Sequence, residues 1–218
     1  MQLLSNWNGV YDTGTGTSTS TSTGVMSLTS SPSLSGSARK FVTTFTNNGG
    51  ERYWVSFASD TVSTNFLYDT WVYLDGSSAN IANLEMDMNQ VMSNGQTVIY
   101  GVQCDGWSGT WDYTVNSGTP TQPKGGWVHV KTAPCNPRKW TTNVWHHVQI
   151  EYSRDDAGNV TYKSVWLDGV EQDINVTVPS AFALGWRLGT LLTNFQVDGL
   201  GTSGTVTVYA DNMTIYRW

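Results

Sequence analysis

Glu85 and Asp87 stand one residue apart in the stretch Asn83-Leu84-Glu85-Met86-Asp87-Met88-Asn89-Gln90. In an extended strand successive side chains point to opposite faces. Leu84, Met86 and Met88 then share one face, and Asn83, Glu85, Asp87 and Asn89 the other. Neighbours in such a row lie about 6.5–7 Å apart at the backbone. Two carboxylates that close are unfavourable unless water, a cation or a hydroxyl-donating polyol uses the row. The bland alternative is the solvated face of an antiparallel sheet. Such faces are built mainly from Ser, Thr, Lys and Arg, whereas clustered titratable groups mark sites.

Aromatic residues supply a second component. Trp107, Trp111, Tyr113 and Trp127 lie among Gly106, Gly109, Gly118, Gly125 and Gly126. An indole face packs on the apolar C–H face of a sugar ring while amides and carboxylates beside it bond the hydroxyls. With 11 tryptophans in the chain, several must serve the core. Trp54, Trp71, Trp145 and Trp166 occupy strongly patterned segments and are expected to pack. Trp107, Trp111 and Trp127 are expected to meet a ligand, together with Asn83, Asn89 and Gln103.

The elements that must position these residues are strands. Alternation, or β-branched and aromatic enrichment, runs through residues 38–45, 66–73, 82–90, 97–103, 145–152, 160–167 and 205–209. Turn pairs such as Asp75-Gly76, Asn94-Gly95 and Asp168-Gly169 separate them. No segment holds a helical period over three turns. The expected fold is all-β, two packed antiparallel sheets in a jelly-roll sandwich. Its 218 residues suit one such domain. The boundary is expected at residue 25, after a Ser/Thr/Gly tract over 13–24 that reads as a flexible segment or an edge strand.

Only 13% of residues are charged, and the net charge is −6. That excludes a nucleic-acid surface, which needs a basic stripe, and weakens the case for a strongly anionic polymer. No apolar run reaches membrane-spanning length, so no membrane insertion is expected. The first residues lack a signal core. Cys104 and Cys135 lie in Gly/Pro-rich surroundings that suit a loop-stapling disulfide, which favours an exported protein. They form no metal motif. Asp69 or Asp211 could contribute oxygens to a structural calcium; no other cofactor is expected. His146 and His147 are adjacent, so one should pack beneath the sheet and the other face solvent.

The row Glu85-Met86-Asp87-Met88-Asn89 resembles the catalytic strand of laminarinase/lichenase-type glycoside hydrolases, whose motif is Glu-x-Asp-x-Glu or Glu-x-Asp-x-x-Glu. Trp145-His146-His147 followed by Trp166-Leu167-Asp168-Gly169 looks like a strand and hairpin of concanavalin A-like domains. The pattern over residues 25–218 is also similar to sandwich domains of exported soil-bacterial proteins. The resemblance implies a concanavalin A-like jelly roll, Glu85 as nucleophile and Asp87 as its assistant. It implies a general acid at position 89 or 90, but this chain has Asn89 and Gln90, and an amide cannot donate that proton at neutral pH. Retaining hydrolysis needs two carboxyl groups about 5–5.5 Å apart. Glu151, Asp105 and Asp112 are candidates by type to replace the acid. Elimination on a uronic acid polymer, with His129, His146 or His147 handling the proton, is disfavoured by the acidic balance and the scarcity of arginine.

These residues are read first as a binding domain for a neutral polysaccharide, secreted or at the cell surface, with its signal peptide absent from this chain and a monomer by default. The alternatives are a hydrolase of a β-glucan-type polymer dependent on Glu85 and Asp87, and an adhesive or structural cell-surface module.

Overall fold

A computed structural model of the chain describes residues 1–12 and 19–218. In chain order the strands are Asn8–Asp12 (β1), Thr21–Thr29 (β2), Ala38–Thr46 (β3), Gly50–Ser59 (β4), Asn65–Leu74 (β5), Ile81–Val91 (β6), Thr97–Tyr100 (β7) and Val102–Asp105 (β8). They continue with Thr110–Asn116 (β9), Gly125–Pro134 (β10), Trp145–Arg154 (β11), Asn159–Leu167 (β12), Val170–Pro179 (β13), Ala181–Phe182 (β14), Thr190–Gly199 (β15) and Ser203–Arg217 (β16). The only helical element among the described residues is the 3-10 turn Pro137–Lys139. Among the described residues no helix is long and apolar enough to cross a membrane.

One sheet has the order β1-β4-β15-β6-β8-β9-β10, with β7 pairing both β6 and β14. The other has the order β13-β12-β11-β5-β16-β3-β2. Every pairing is antiparallel. The expected two-sheet sandwich is therefore present. The boundary expected at residue 25 is not. β1 is an edge strand of the first sheet, and β2 pairs with β3 from Thr21 onward. Residues 13–18 of the Ser/Thr/Gly tract lie outside the described residues.

The period-two pattern builds the core. Leu84, Met86 and Met88 of β6 are buried, as are Phe66, Tyr68 and Val72 of β5. Aromatic pairs join the sheets: Phe41 stacks on Phe195 with ring centroids 4.9 Å apart, and Tyr100 on Tyr152 at the same distance. Gly199 closes the end of β15 against this core, and a Cβ there would lie 2.2 Å from the Phe45 ring. Gly199→Ala should thus destabilise by about 1–3 kcal/mol through overpacking, read as a lower urea midpoint with an unchanged slope.

The tryptophans divide differently from the sequence expectation. Trp111 is fully buried, with Trp7 and Trp140 close to it in burial. Trp71, Trp145 and Trp166 are half-buried on the outer face of the second sheet, where Trp71 stacks on His147 at 4.5 Å. Trp54 belongs to the face of the first sheet turned away from the core. A strand pattern fixes the two faces of a sheet, but not which face meets the core.

His146 and His147 do take opposite faces. His146 is buried between the Asp168 carboxylate, 2.7 Å from Nδ1, and the Thr141 carbonyl, 2.8 Å from Nε2. The oxygens proposed for calcium already have protein partners. Asp69 bonds His147 Nε2 at 2.8 Å and accepts from Gln149 Nε2 at 2.9 Å. Asp211 accepts from Gln2 Nε2, the Ser33 and Ser35 hydroxyls and the Leu34 and Ser35 amides at 2.6–3.0 Å. It ties the N-terminus and the β2–β3 connection to β16.

Candidate functional site

The first sheet presents an outer face ordered as rungs running across its strands. One rung carries Arg52, Gln196, Glu85, Gln103, Asp112 and His129, from β4, β15, β6, β8, β9 and β10. The rung on one side holds Asp12, Asp198, Asn83, Asp105 and Thr110; on the other side stand Trp54, Asn194, Asp87, Thr114 and Trp127. Asn89 lies one rung beyond. All of these but Trp54, Thr110 and Asp112 line a cleft of about 850 Å³. Trp107, Trp127, His129, Phe182, Leu184 and Trp186 also line it.

At the centre, Glu85 and Asp87 hydrogen-bond to each other. Burial pushes the Glu85 carboxyl well above its ordinary range, and the Asp87 charge adds to this; the Arg52 guanidinium opposes it. Burial likewise raises Asp87, to about 6, against hydrogen bonds from Glu85, the Val102 amide and Asn194 and the nearby Arg52 charge. Of the pair, Glu85 is the one whose acid form is favoured more strongly, since two acids in one dry site do not ionise together easily. Burial also raises the Asp198 carboxyl well above its ordinary range, with the Glu85 and Asp12 charges reinforcing it. Arg52 pairs with Asp12 and spreads its charge over Glu85 and Asp87.

A second cluster lies toward β10. His129 Nδ1 is 2.7 Å from Asp112 Oδ2 and 4.0 Å from Asp105 Oδ2. One ligand atom from each of the three lies within 4.8 Å of the others. This trio, not Asp69 or Asp211, has donor atoms that converge as a divalent cation requires. Asp105 also accepts the Trp107 and Ser108 amides at 2.7 and 3.1 Å. Asp112 takes the Thr110 hydroxyl at 2.6 Å. Burial raises the Asp112 pKa, with the Thr110 and His129 hydrogen bonds opposing.

Asn83, Glu85, Asp87, Asn89, Gln103, Trp107 and Trp127 all line this cleft. Trp111 does not. Alternation along β9 turns Thr110, Asp112 and Thr114 to the cleft, leaving Trp111 at 0% exposure in the core. Glu151, a candidate replacement acid, is on the other sheet and accepts from Lys163 at 2.8 Å. Gln90 faces the core and accepts from Arg154 Nε at 2.7 Å. Asp105 lines the cleft, whereas Asp112 is fully buried and bonded to His129.

Sequence reasoning missed Arg52, Asn194, Gln196, Asp198 and Trp186. For three of these a signal was present. Asn194-Phe195-Gln196-Val197-Asp198 repeats the polar–apolar alternation of β6, and the two strands pair directly. Cys104 and Cys135 form a disulfide, Cα atoms 5.2 Å apart, that fastens the far end of β10 to β8.

No family model matches the chain, and no curated protein matches it in sequence. Among solved structures, it is similar to one described by the promiscuous specificity of carbohydrate-binding modules of the β-sandwich superfamily, with TM-score 0.51 and 10% identity. That match covers 99% of this chain and 58% of the other, so this chain spans just over half its length. A carbohydrate-binding module from Bacillus subtilis gives TM-score 0.42 at 12% identity, covering 90% of this chain and 94% of that one. An alginate lyase bound to an alginate trisaccharide gives 0.47 at 9%, covering 85% and 83%. The first likeness shows the β-sandwich fold.

Proposed function

We propose that the cleft binds a neutral polysaccharide lying across the strands of the first sheet. The observation that carries this reading is Asn89. It is 1% exposed, it lines the cleft, and its Nδ2 makes no hydrogen bond among the described residues. A buried donor left unmade is costly, and here it faces a floor of amides and carboxyls flanked by indoles. Six strands at about 4.8 Å spacing extend about 24 Å, long enough for several sugar rings. Amide and carboxyl groups meet the hydroxyls, while Trp127, Trp107 and Trp186 offer apolar faces.

Titration with neutral β-glucan, xylan and mannan oligosaccharides tests this. At least one should bind, and Trp127→Ala should weaken it about tenfold, as expected for a lost stacking face, without lowering Tm. If no oligosaccharide binds or shifts Tm, the cleft is a solvated face and the adhesive-module reading takes over.

A second reading is hydrolysis. It is favoured by the Glu85–Asp87 pair, two buried carboxyl groups in contact whose pKa values are both raised. Reducing-end release by the parent protein, abolished in Glu85→Gln, would establish it; binding without release would leave the domain a binder.

A further inference from the structure

The cleft does not end at Arg52. A second pocket of about 390 Å³ opens beside it, lined by Val10, Trp54, Ser56, Arg187, Thr190 and Leu192. That volume lies within the range of small-ligand sites, about 300–1,000 Å³. Arg52, Trp186 and Asn194 line both spaces, so the two adjoin. The second space is chemically different. The main cleft is lined by Asp12, Glu85, Asp87, Asp105 and Asp198, whereas among the described residues no carboxylate lines the second pocket and two guanidinium groups do.

Arg187 distinguishes this pocket further. The other five arginines are each engaged within the protein. Arg39 donates to the Gln2 and Leu4 carbonyls, Arg52 pairs with Asp12, and Arg138 donates to the Gly106 carbonyl. Arg154 donates to Gln90, and Arg217 pairs with Asp60. Arg187 is exposed and, among the described residues, has no side-chain hydrogen bond or ion pair. Its backbone is nevertheless anchored: the Thr190 amide donates to the Arg187 carbonyl at 3.1 Å, and the Gly189 amide to Val91 at 3.0 Å. An unpaired planar guanidinium on an anchored backbone, lining a pocket that two indoles also line, suits bidentate contact with a carboxylate.

We propose that the pocket between Trp54 and Trp186 receives a sugar unit bearing a carboxylate, which Arg187 recognises. The polymer is then an otherwise neutral chain decorated with uronic acid units. The net charge of −6 disfavours a fully anionic polymer but leaves room for an isolated carboxylate beside an unpaired arginine. This inference rests on the cleft reading above, since the backbone carrying that unit must lie in the main cleft.

The probes are glucuronoxylan and xanthan, each tested before and after chemical reduction of its carboxyl groups to alcohols. At low salt the acidic form of at least one polymer should bind about tenfold tighter than its reduced form, the scale of one charge-assisted contact. Arg187→Ala should erase that difference and leave affinity for the reduced form unchanged. Raising the salt should narrow the gap in the parent only. Equal binding of both forms by both proteins would overturn the uronate assignment and leave the cleft reading standing. A preference that survives Arg187→Ala would overturn the role given to the arginine. Binding of neither form of either polymer would remove the cleft reading for these backbones, and the pocket assignment with it.

Discussion

Asp211→Ala is expected to destabilise the domain by about 3–5 kcal/mol, the cost of breaking a buried charged network, and to lower Tm by roughly 10 °C for a domain of this size. Asp211 is fully buried and holds donors from three places at once: Gln2, the segment Ser33 to Ser35, and the Asn212 amide at 2.8 Å. Alanine would orphan those donors. Burial acts to raise the Asp211 pKa, but the hydrogen bonds from Ser35, Ser33 and Leu34 outweigh it and leave the carboxyl below its ordinary 3.8. A depressed folded pKa means the unfolded chain binds the proton first, so this stabilisation is present above about pH 4 and is lost as pH falls. Asp60 and Asp155 are lowered too, in each case by hydrogen bonds that overcome burial. Thermal melts at pH 3 and pH 6 check the point: Asp211→Asn should reduce the acid-side loss seen in the parent. An unchanged Tm in Asp211→Ala would refute the anchoring role.

The opposite slope is expected on the alkaline side. Glu85 is raised well above its ordinary value by burial and by Asp87, Asp198 by burial and by the Glu85 charge, and Asp87 is raised to about 6, chiefly by burial. For these groups the folded state holds protons that the unfolded chain has released. Their contribution is full below about pH 4 and is lost as pH rises through the folded values. For Asp87 alone, a rise from 3.8 to about 6 corresponds to the order of 3 kcal/mol at about 1.4 kcal/mol per pH unit. Tm should therefore peak between about pH 4 and 6 and decline toward neutrality. Glu85→Gln removes one buried acid and lets Asp87 ionise without a competing charge, so the decline should flatten. A parent protein whose Tm rises steadily to pH 8 would contradict the buried acid pair.

The sandwich was legible because alternation of apolar and polar residues along a strand is a local property. Leu84, Met86 and Met88 state their face without reference to any other strand. The row from Asn83 to Asn89 was legible for the same reason. What the sequence did not yield was which strands lie beside that row. Arg52 and Gln196 join Glu85 only because β4, β15 and β6 are neighbours in the sheet, although they are far apart in the chain. Trp111 was misjudged from its glycine-rich surroundings, when its place between Thr110 and Asp112 already set it opposite the polar side chains.

The break between β7 and β8 has a consequence for how this surface can diversify. Strand pairing along β6 is interrupted opposite Asp87, whose Oδ1 accepts the Val102 amide at 3.1 Å. A Cβ on Gly101 would lie 2.4 Å from Thr114 and 3.1 Å from that same carboxylate oxygen. Asp87 is thus part of the scaffold as well as of the cleft, and it can change only together with the backbone it holds. Asn89 and Trp186 carry no such duty. Descendants of this chain can acquire new ligand preferences most cheaply by drifting at those two positions, while Asp87 and Gly101 stay fixed as a pair, so a library randomised at Asn89 and Trp186 should retain far more folded members than one randomised at Asp87.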